Sequence, residues 1–269
     1  MAGANETSIA RGDVMIVKST LLLPDLIWIE SSVRPEDARN AVDLCRLTHD
    51  VDQVSDVIAS LSKAGFSMNS FALLSPGEAL FVDAPFDHLE DSISQLADAG
   101  YRPAGMLLSH EHIVAWDRML NRFQARYDVP ILLHPIDAAS PRAVRSRLKF
   151  VDPTKCPILG RFGVEAIHFP GHSPGSVVFY RSRDGLLLTG ESAVGATAAQ
   201  GERGHLRMVR LPMPETRDAE VRANWLNFDR SIQHASAMYG CPLVNQEHIE
   251  ELLFPLKRAS PTAFDELLG

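Results

Sequence analysis

Three histidines and a glutamate lie in short polar motifs of this chain. His110 and His112 belong to the segment SHEH, His172 to PGHSPG, and Glu191 to GES. Imidazole groups bind zinc, iron, copper and nickel, and a carboxylate can complete such a site. The four side chains therefore predict one metal site.

The positions of these motifs suggest how the ligands converge. In an extended segment, residues i and i+2 point the same way, so we expect His110 and His112 to face one ion just past a strand end. His172 follows a buried strand in a turn whose prolines fix φ and whose glycines permit tight geometry. Glu191 follows the apolar strand 186–188 and extends a carboxylate from that strand end.

The surrounding sequence alternates between strand-like and helical patterns, which predicts a mixed sheet covered by helices. We expect strands at 14–17, 26–30, 70–74, 79–83, 106–108, 129–133, 164–169, 176–181, 185–188 and 243–245. Helices are expected at 35–47 and 54–64, on the apolar faces within 89–97 and 116–123, and over 217–239.

Length and composition are those of a globular protein with one domain, residues 1–269. Hydrophobic residues make up 45% of the chain and charged residues 22%, and no linker divides it. The net charge of −8 argues against a nucleic-acid partner, which requires a basic face.

Cysteine usage and the N-terminal segment predict a cytoplasmic location. Cys45, Cys156 and Cys241 are odd in number and widely spaced, which is typical of reduced thiols. The N-terminal residues lack the pattern of a secretory signal. The apolar run 21–29 is far shorter than the ~20 residues of a membrane helix, so we expect no membrane partner.

The order and spacing of the motifs resemble the metallo-β-lactamase superfamily, the glyoxalase II-like hydrolases. That family carries [TS]HxHxDH, then PGH[TS]PG, then GD[ST], then a late histidine. The resemblance runs from Phe71 to His248 and is less clear over residues 1–65. It implies an α/β (α+β) fold, a four-layer αβ/βα sandwich with mixed sheets and the site at one edge.

The resemblance also implies roles for individual residues. His110, His112 and His172 match the family's first metal site, and Glu191 falls on its bridging aspartate. Its late histidine falls on His248, which we expect to be catalytic. Asp83 is expected to accept the outer N–H of a ligand histidine and so fix its orientation.

The departure from the family pattern predicts one metal ion instead of two. The second site of the family takes an aspartate and a histidine from the positions held here by Val114 and Ala115. Neither the valine nor the alanine side chain carries an atom that can bind a metal. A catalytic zinc typically has three protein ligands plus water. We expect one divalent metal, with zinc favoured and iron possible.

Three functions follow from this site. The favoured one is hydrolysis of an ester, thioester, lactone or amide by a metal-bound water, with Glu191 as a fourth ligand or as a base and His248 binding substrate or donating a proton. The second is a mononuclear non-haem iron oxygenase or another redox enzyme on the same fold. The third is a non-catalytic binding or regulatory protein on a degenerate hydrolase scaffold.

The substrate is expected to be a small molecule. A run of basic residues can attract an anionic one to the mouth of the site, although such a run is also typical of a solvated helix face. Its members are Arg142, Arg145, Arg147 and Lys149. The sequence leaves the oligomeric state open.

Overall fold

The first half of the chain forms a seven-stranded mixed sheet. A computed structural model describes residues 18–32, 67–84, 89–195, 209–210, 217–240, 244–245 and 262–263. The strands of this sheet lie in chain order: β1 Lys18–Leu23, β2 Leu26–Ser32, β3 Ser67–Ser75, β4 Glu78–Val82, β5 Arg102–Leu107, β6 Ile131–Leu132 and β7 Phe150–Val151. Strands β1 to β4 pair antiparallel, whereas β4 to β7 pair parallel.

The second half supplies a five-stranded mixed sheet. Its order is β13-β12-β10-β9-β8, in which β12 and β10 are parallel and the other neighbours antiparallel. The strands are β8 Val164–His168, β9 Val177–Arg181, β10 Leu186–Leu188, β12 His234–Ser236 and β13 Val244–Asn245. A further parallel pair joins β11 Val209–Arg210 to β14 Thr262–Ala263.

Helices cover the outer faces of both sheets. They are α1 Glu90–Asp98, α2 Asp117–Tyr127, α3 Pro135–Ala138, α4 Pro141–Ser146, α5 Ile158–Arg161 and α6 Asp218–Asn227. Two 3-10 helices, Glu111–Trp116 and Pro153–Lys155, complete the set among the described residues. No helix in these ranges is both long and apolar enough to cross a membrane.

Alternation along the strands separates the core into three layers of side chains. Leu80 and Val82 of β4 point between the two sheets, where they join Phe179 and Leu188 of the second sheet. Phe81, the residue between them, packs instead among helix residues on the outer face. On the far side of the second sheet, strand residues pack against Trp225 of α6. The order of layers is therefore helix, sheet, sheet, helix, which confirms the four-layer sandwich.

The predicted helix over 217–239 is wrong in its second half. Helix α6 ends at Asn227, and Phe228 takes an extended conformation with φ −72° and ψ 109°. The chain then forms β12, which pairs with β10 and buries Ala235. Sheet pairing thus outweighs the weak helical pattern of this stretch. The expected strand 14–17 and the expected helices 35–47 and 54–64 lie outside the described residues.

Candidate metal centre

Three imidazole rings meet at one edge of the sandwich. The candidate ligand nitrogens of His110, His112 and His172 all lie within 4.8 Å of one another. The rings meet edge to face, with centroids 4.5 to 5.0 Å apart. The side chains of His110 and His172 are only 1% and 3% exposed, so the cluster is shielded from bulk water.

A 3-10 helix places the first two histidines. His110 follows β5 in an extended conformation, with φ −165° and ψ 170°, and the 3-10 helix Glu111–Trp116 begins directly after it. His112 therefore lies in the first turn of a helix, and the extended i, i+2 arrangement expected from the sequence is wrong. The tight turn still brings both rings to the same point.

Helix α6 holds the turn that carries His172. Gly171 has φ +131°, and a Cβ atom there would lie 2.4 Å from Val221 Cγ2. Asn224 Nδ2 donates a 2.7 Å hydrogen bond to Pro170 O, and Arg217 N donates one of 2.5 Å to Gly171 O. The glycine is thus needed for both its conformation and its close approach to the helix.

Glu191 approaches the imidazoles from the second sheet. It follows β10 at a turn in which Gly190 has φ +54° and packs against Ser109. Its Oε1 lies 3.1 Å from His110 Nε2, and its Oε2 lies 3.3 Å from His172 Nε2. Trp225 Nε1 donates to Ser192 O at 2.9 Å and so fixes this turn against α6.

The negative charge of Glu191 and the positive charges of the histidines stabilise one another. Burial alone would raise the pKa of Glu191, but the positive charges of His172 and His110 outweigh it and hold that pKa well below its usual range. Burial alone would lower the pKa of His110, but the Glu191 carboxylate outweighs it and raises that pKa. In the absence of a metal, the imidazoles thus supply the positive charge that the carboxylate requires.

The donor set fits a divalent cation. His110 Nε2 is buried and has no well-aligned hydrogen-bond partner, although Glu191 lies close by. His112 Nδ1 and His172 Nε2 lie 3.0 Å apart, and two ligand nitrogens of a tetrahedral zinc are separated by about 3.3 Å. The cluster therefore has the ligand types and nearly the spacing that one ion requires.

Asp83 reaches His110 through Ser109. Asp83 Oδ1 accepts a 2.8 Å hydrogen bond from Ser109 N, and Ser109 Oγ lies 3.0 Å from His110 Nδ1. Burial raises the pKa of Asp83 to about 6, while the His110 charge and the Ser109 hydrogen bonds oppose the shift. The direct carboxylate–histidine contact expected from the sequence is thus replaced by a contact through a serine hydroxyl.

Asp137 is a buried carboxylate that sequence reasoning missed. It lies in α3, and its Oδ2 accepts hydrogen bonds from Glu111 N at 2.9 Å and from Ser173 Oγ at 2.5 Å. Its Oδ1 accepts a 2.6 Å hydrogen bond from Gly175 N. Asp137 thereby ties the segment of His112 to the turn of His172. In the sequence, Asp137 stands in the segment His134-Pro135-Ile136-Asp137. This is a common way for a helix to begin and does not single out the aspartate.

Val114 and Ala115, which stand where the family carries its second-metal ligands, have different surroundings. Val114 is 1% exposed and packs in the apolar layer between the first sheet and its helices. Ala115 is half-buried, and Trp116 packs against the same layer. The predicted catalytic residue His248 lies outside the described residues, as do residues 1–17 and 33–66 within the less clearly matched N-terminal part.

The basic run lies beside the 3-10 helix of His112, because α4 packs against that helix. Arg142 is half-buried, whereas Arg145, Arg147 and Lys149 are exposed. The Arg142 Nη1 atom is buried and has no hydrogen-bond partner. Arg142 is therefore the member of the run that has a buried donor atom without a hydrogen-bond partner.

Comparison with known proteins identifies two curated relatives. The chain is 26% identical to the probable metallo-hydrolase YqgX and 29% identical to the probable metallo-hydrolase YybB, both from Bacillus subtilis strain 168. These alignments cover 46% and 42% of the chain, and the chain spans only 64% and 56% of the two relatives. No protein-family model matches the chain.

Solved structures share the fold at low sequence identity. A metallo-β-lactamase from Pontibacter korlensis superposes with a TM-score of 0.60 at 12% identity, covering 89% of this chain and 98% of that one. A metallo-β-lactamase from Hirschia baltica gives a TM-score of 0.58 at 13% identity, covering 90% and 98%. Both matches extend over nearly the whole sandwich.

Proposed function

We propose that the chain is a mononuclear metal-dependent hydrolase of the metallo-β-lactamase superfamily. Its similarity to two probable metallo-hydrolases and its shared fold support this proposal. Its substrate is an ester, thioester, lactone or amide. The observation that carries the proposal is the convergence of His110, His112, His172 and Glu191 within one buried cluster.

The three imidazoles and Glu191 would hold the cation. Glu191 would serve as a fourth ligand, because its two carboxylate oxygens face His110 Nε2 and His172 Nε2 at 3.1 and 3.3 Å. A divalent metal held there with a further position open to water would lower the pKa of that water to about 7. We favour zinc, because three histidines are a common ligand set for hydrolytic zinc.

The chain's own residues orient the centre. Ser109 links Asp83 to His110 Nδ1 and so leaves Nε2 to face the cluster. Asp137 keeps the His112 and His172 segments at a fixed separation. Both networks come from buried carboxylates, which stabilise a defined ring orientation before any ion binds.

The position of Arg142 supports an anionic substrate. Its half-buried guanidinium lies on the helix that packs against the His112 segment, and one donor atom is unpartnered. A carboxylate or phosphate on the substrate would satisfy that donor.

Metal content and hydrolysis test the proposal together. Protein purified without added metal should contain about one equivalent of zinc by elemental analysis, and it should cleave a member of a panel of esters, thioesters, lactones and amides. His172→Ala should lose both properties, whereas His234→Ala should retain them, because His234 pairs with Leu186 at the start of β10, at the opposite end of that strand from Glu191.

Two results would contradict the proposal. Iron in place of zinc, together with oxygen consumption, would identify a redox enzyme. Absence of metal, with a melting temperature that a chelator leaves unchanged, would identify a binding protein, because an ion that binds only the folded state stabilises it.

A further inference from the structure

Two parallel strands of the second sheet end side by side. Residues Leu188 of β10 and Ser236 of β12 are register partners. Backbone hydrogen bonds continue the pairing past both strands, from Thr189 N to Ser236 O at 2.8 Å and from Met238 N to Gly190 O at 2.9 Å. Further along, Gly195 N donates a 2.8 Å hydrogen bond to Tyr239 O, so Tyr239 lies on the segment that borders the turn of Glu191.

The Tyr239 side chain contacts Glu191 directly. Its phenol hydroxyl donates a hydrogen bond to the Glu191 carboxylate, and burial together with the charge of Glu191 raises the pKa of Tyr239 well above its usual value. The ring is half-buried and packs against the apolar layer that covers the first sheet. Because an ionised carboxylate can only accept, the hydroxyl is the donor of this contact.

Asn69 of β3 fixes the segment that carries Tyr239. Its side-chain amide donates to Ala237 O and to Gly240 O, both at 2.8 Å, and its backbone N–H donates to Met238 O at 2.6 Å. Trp28 Nε1 donates to Asn69 Oδ1 at 2.8 Å and fixes the amide in turn. Asn69 is fully buried, so this support is rigid.

We propose that Tyr239 is a positioning residue, which orients Glu191 toward the imidazoles. Glu191 presents Oε1 to His110 and Oε2 to His172. A carboxylate has about four lone-pair sites, so it can accept the phenol hydrogen bond and still face both rings.

This inference rests on the proposed function, since it assigns Glu191 to the metal. Sequence reasoning missed Tyr239 because it fell at the end of a predicted helix.

The test compares Tyr239→Phe with Tyr180→Phe in the full-length protein. Tyr180 is a buried tyrosine of the same sheet whose hydroxyl donates to Ser231 O at 2.8 Å, away from the cluster. With cobalt as the probe metal, Tyr239→Phe should change the visible absorption spectrum and lower cobalt affinity by about 10- to 100-fold. Tyr180→Phe should change neither.

A double-mutant cycle tests whether the effect acts through Glu191. In a Glu191→Gln background, Tyr239→Phe should cause no further loss of cobalt affinity. Tyr239→Gln keeps an N–H donor and should recover part of the affinity that Tyr239→Phe loses. In metal-free protein, the melting temperatures of the Tyr239→Phe and Glu191→Gln variants and of their combination should be non-additive.

The outcomes separate the two ideas. A wild-type protein that binds one cobalt ion while Tyr239→Phe leaves spectrum and affinity unchanged would overturn the role of Tyr239 and leave the hydrolase proposal standing. Failure of the wild-type protein to bind metal would overturn the hydrolase proposal, and the metal-free melting temperatures would then decide the Tyr239–Glu191 contact. Additive losses of melting temperature in the metal-free variants would refute the Tyr239–Glu191 contact.

Discussion

The Asp137 carboxylate accepts a 2.6 Å hydrogen bond from the backbone amide of Gly175. The approach is so close that a Cβ atom on Gly175 would lie 2.6 Å from the Asp137 side chain. The other oxygen of the same carboxylate binds Glu111 N and Ser173 Oγ. One buried side chain thus joins the two loops that bear the histidines.

Asp137→Asn should weaken metal binding by about 10- to 100-fold, the range typical of residues that orient metal ligands. The amide can still accept from Gly175, but its NH2 group would face the Glu111 N–H and lose that hydrogen bond. Metal affinity can be measured by competition with a chromophoric chelator. Asp152→Asn is a matched control, because Asp152 makes local contacts, with hydrogen bonds from Thr154 and an ion pair with Lys155. Equal affinities in both variants would show that Asp137 has no role in the site.

Gly171→Ala should destabilise the protein by at least about 2 kcal/mol, because the new Cβ would meet Val221 and the residue has φ +131°. Gly160→Ala is the matched control. Gly160 is exposed in α5 with nothing near its added Cβ, and alanine there should stabilise by about 0.5–1 kcal/mol. Urea unfolding measures both. A neutral Gly171→Ala variant would mean that the His172 turn can move away from α6.

The double substitution Val114→Asp with Ala115→His restores the family pattern at the second site. We expect the variant to keep one metal equivalent and to lose about 3 kcal/mol or more, since Val114 packs in an apolar layer where a carboxylate has no partner. Elemental analysis gives the stoichiometry, and thermal unfolding gives the stability. Uptake of a second ion would show that the position of Val114 opens to the centre.

The His134–His168 stack predicts a pH dependence of stability. The ring centroids are 4.3 Å apart, and burial, together with the charge of His168, lowers the pKa of His134 below 6.5. The folded state then binds a proton less readily than the unfolded chain. This contribution to the free energy of unfolding is intact above pH 6.5 and is lost as the pH falls through the lowered pKa.

The comparison uses metal-free protein, with melting temperatures measured from about pH 7 to about pH 5. Asp152 and Asp137 oppose the shift in the pKa of His134, and Lys155 reinforces it. His134→Asn keeps an acceptor for the Ile136 N–H and should show the smaller loss of melting temperature on acidification. Equal losses would exclude His134 as the source.

The sequence predicted the strands around the site because their apolar patterns are local, as in β9 and β10. It also anticipated that His110, His112, His172 and Glu191 come together, since each motif follows a strand and their order resembles that of a known family. The ligand geometry was less accessible, because a 3-10 helix after His110 leaves no pattern distinct from a short extended segment.

Asp137 and Tyr239 were missed for a different physical reason. Each is a single residue whose role depends on a partner far along the chain: Gly175 for Asp137, and Glu191 for Tyr239. The register of β10 on β12 decides the second contact, and strand pairing between distant segments is not encoded in either segment alone. Long-range pairing thus determined what local patterns did not reveal.

The cluster draws its donors from both halves of the sandwich. His110 and His112 follow β5 of the first sheet, whereas His172 and Glu191 extend from β8 and β10 of the second. An ion bound there would link the two layers at one end of the sandwich. It would add to the apolar side chains between the sheets and to the hydrogen bonds of Asn69 and Asp137 that join the two halves. Removal of that ion should speed amide hydrogen exchange in the segments that follow β5, β8 and β10, while the outer helices stay protected.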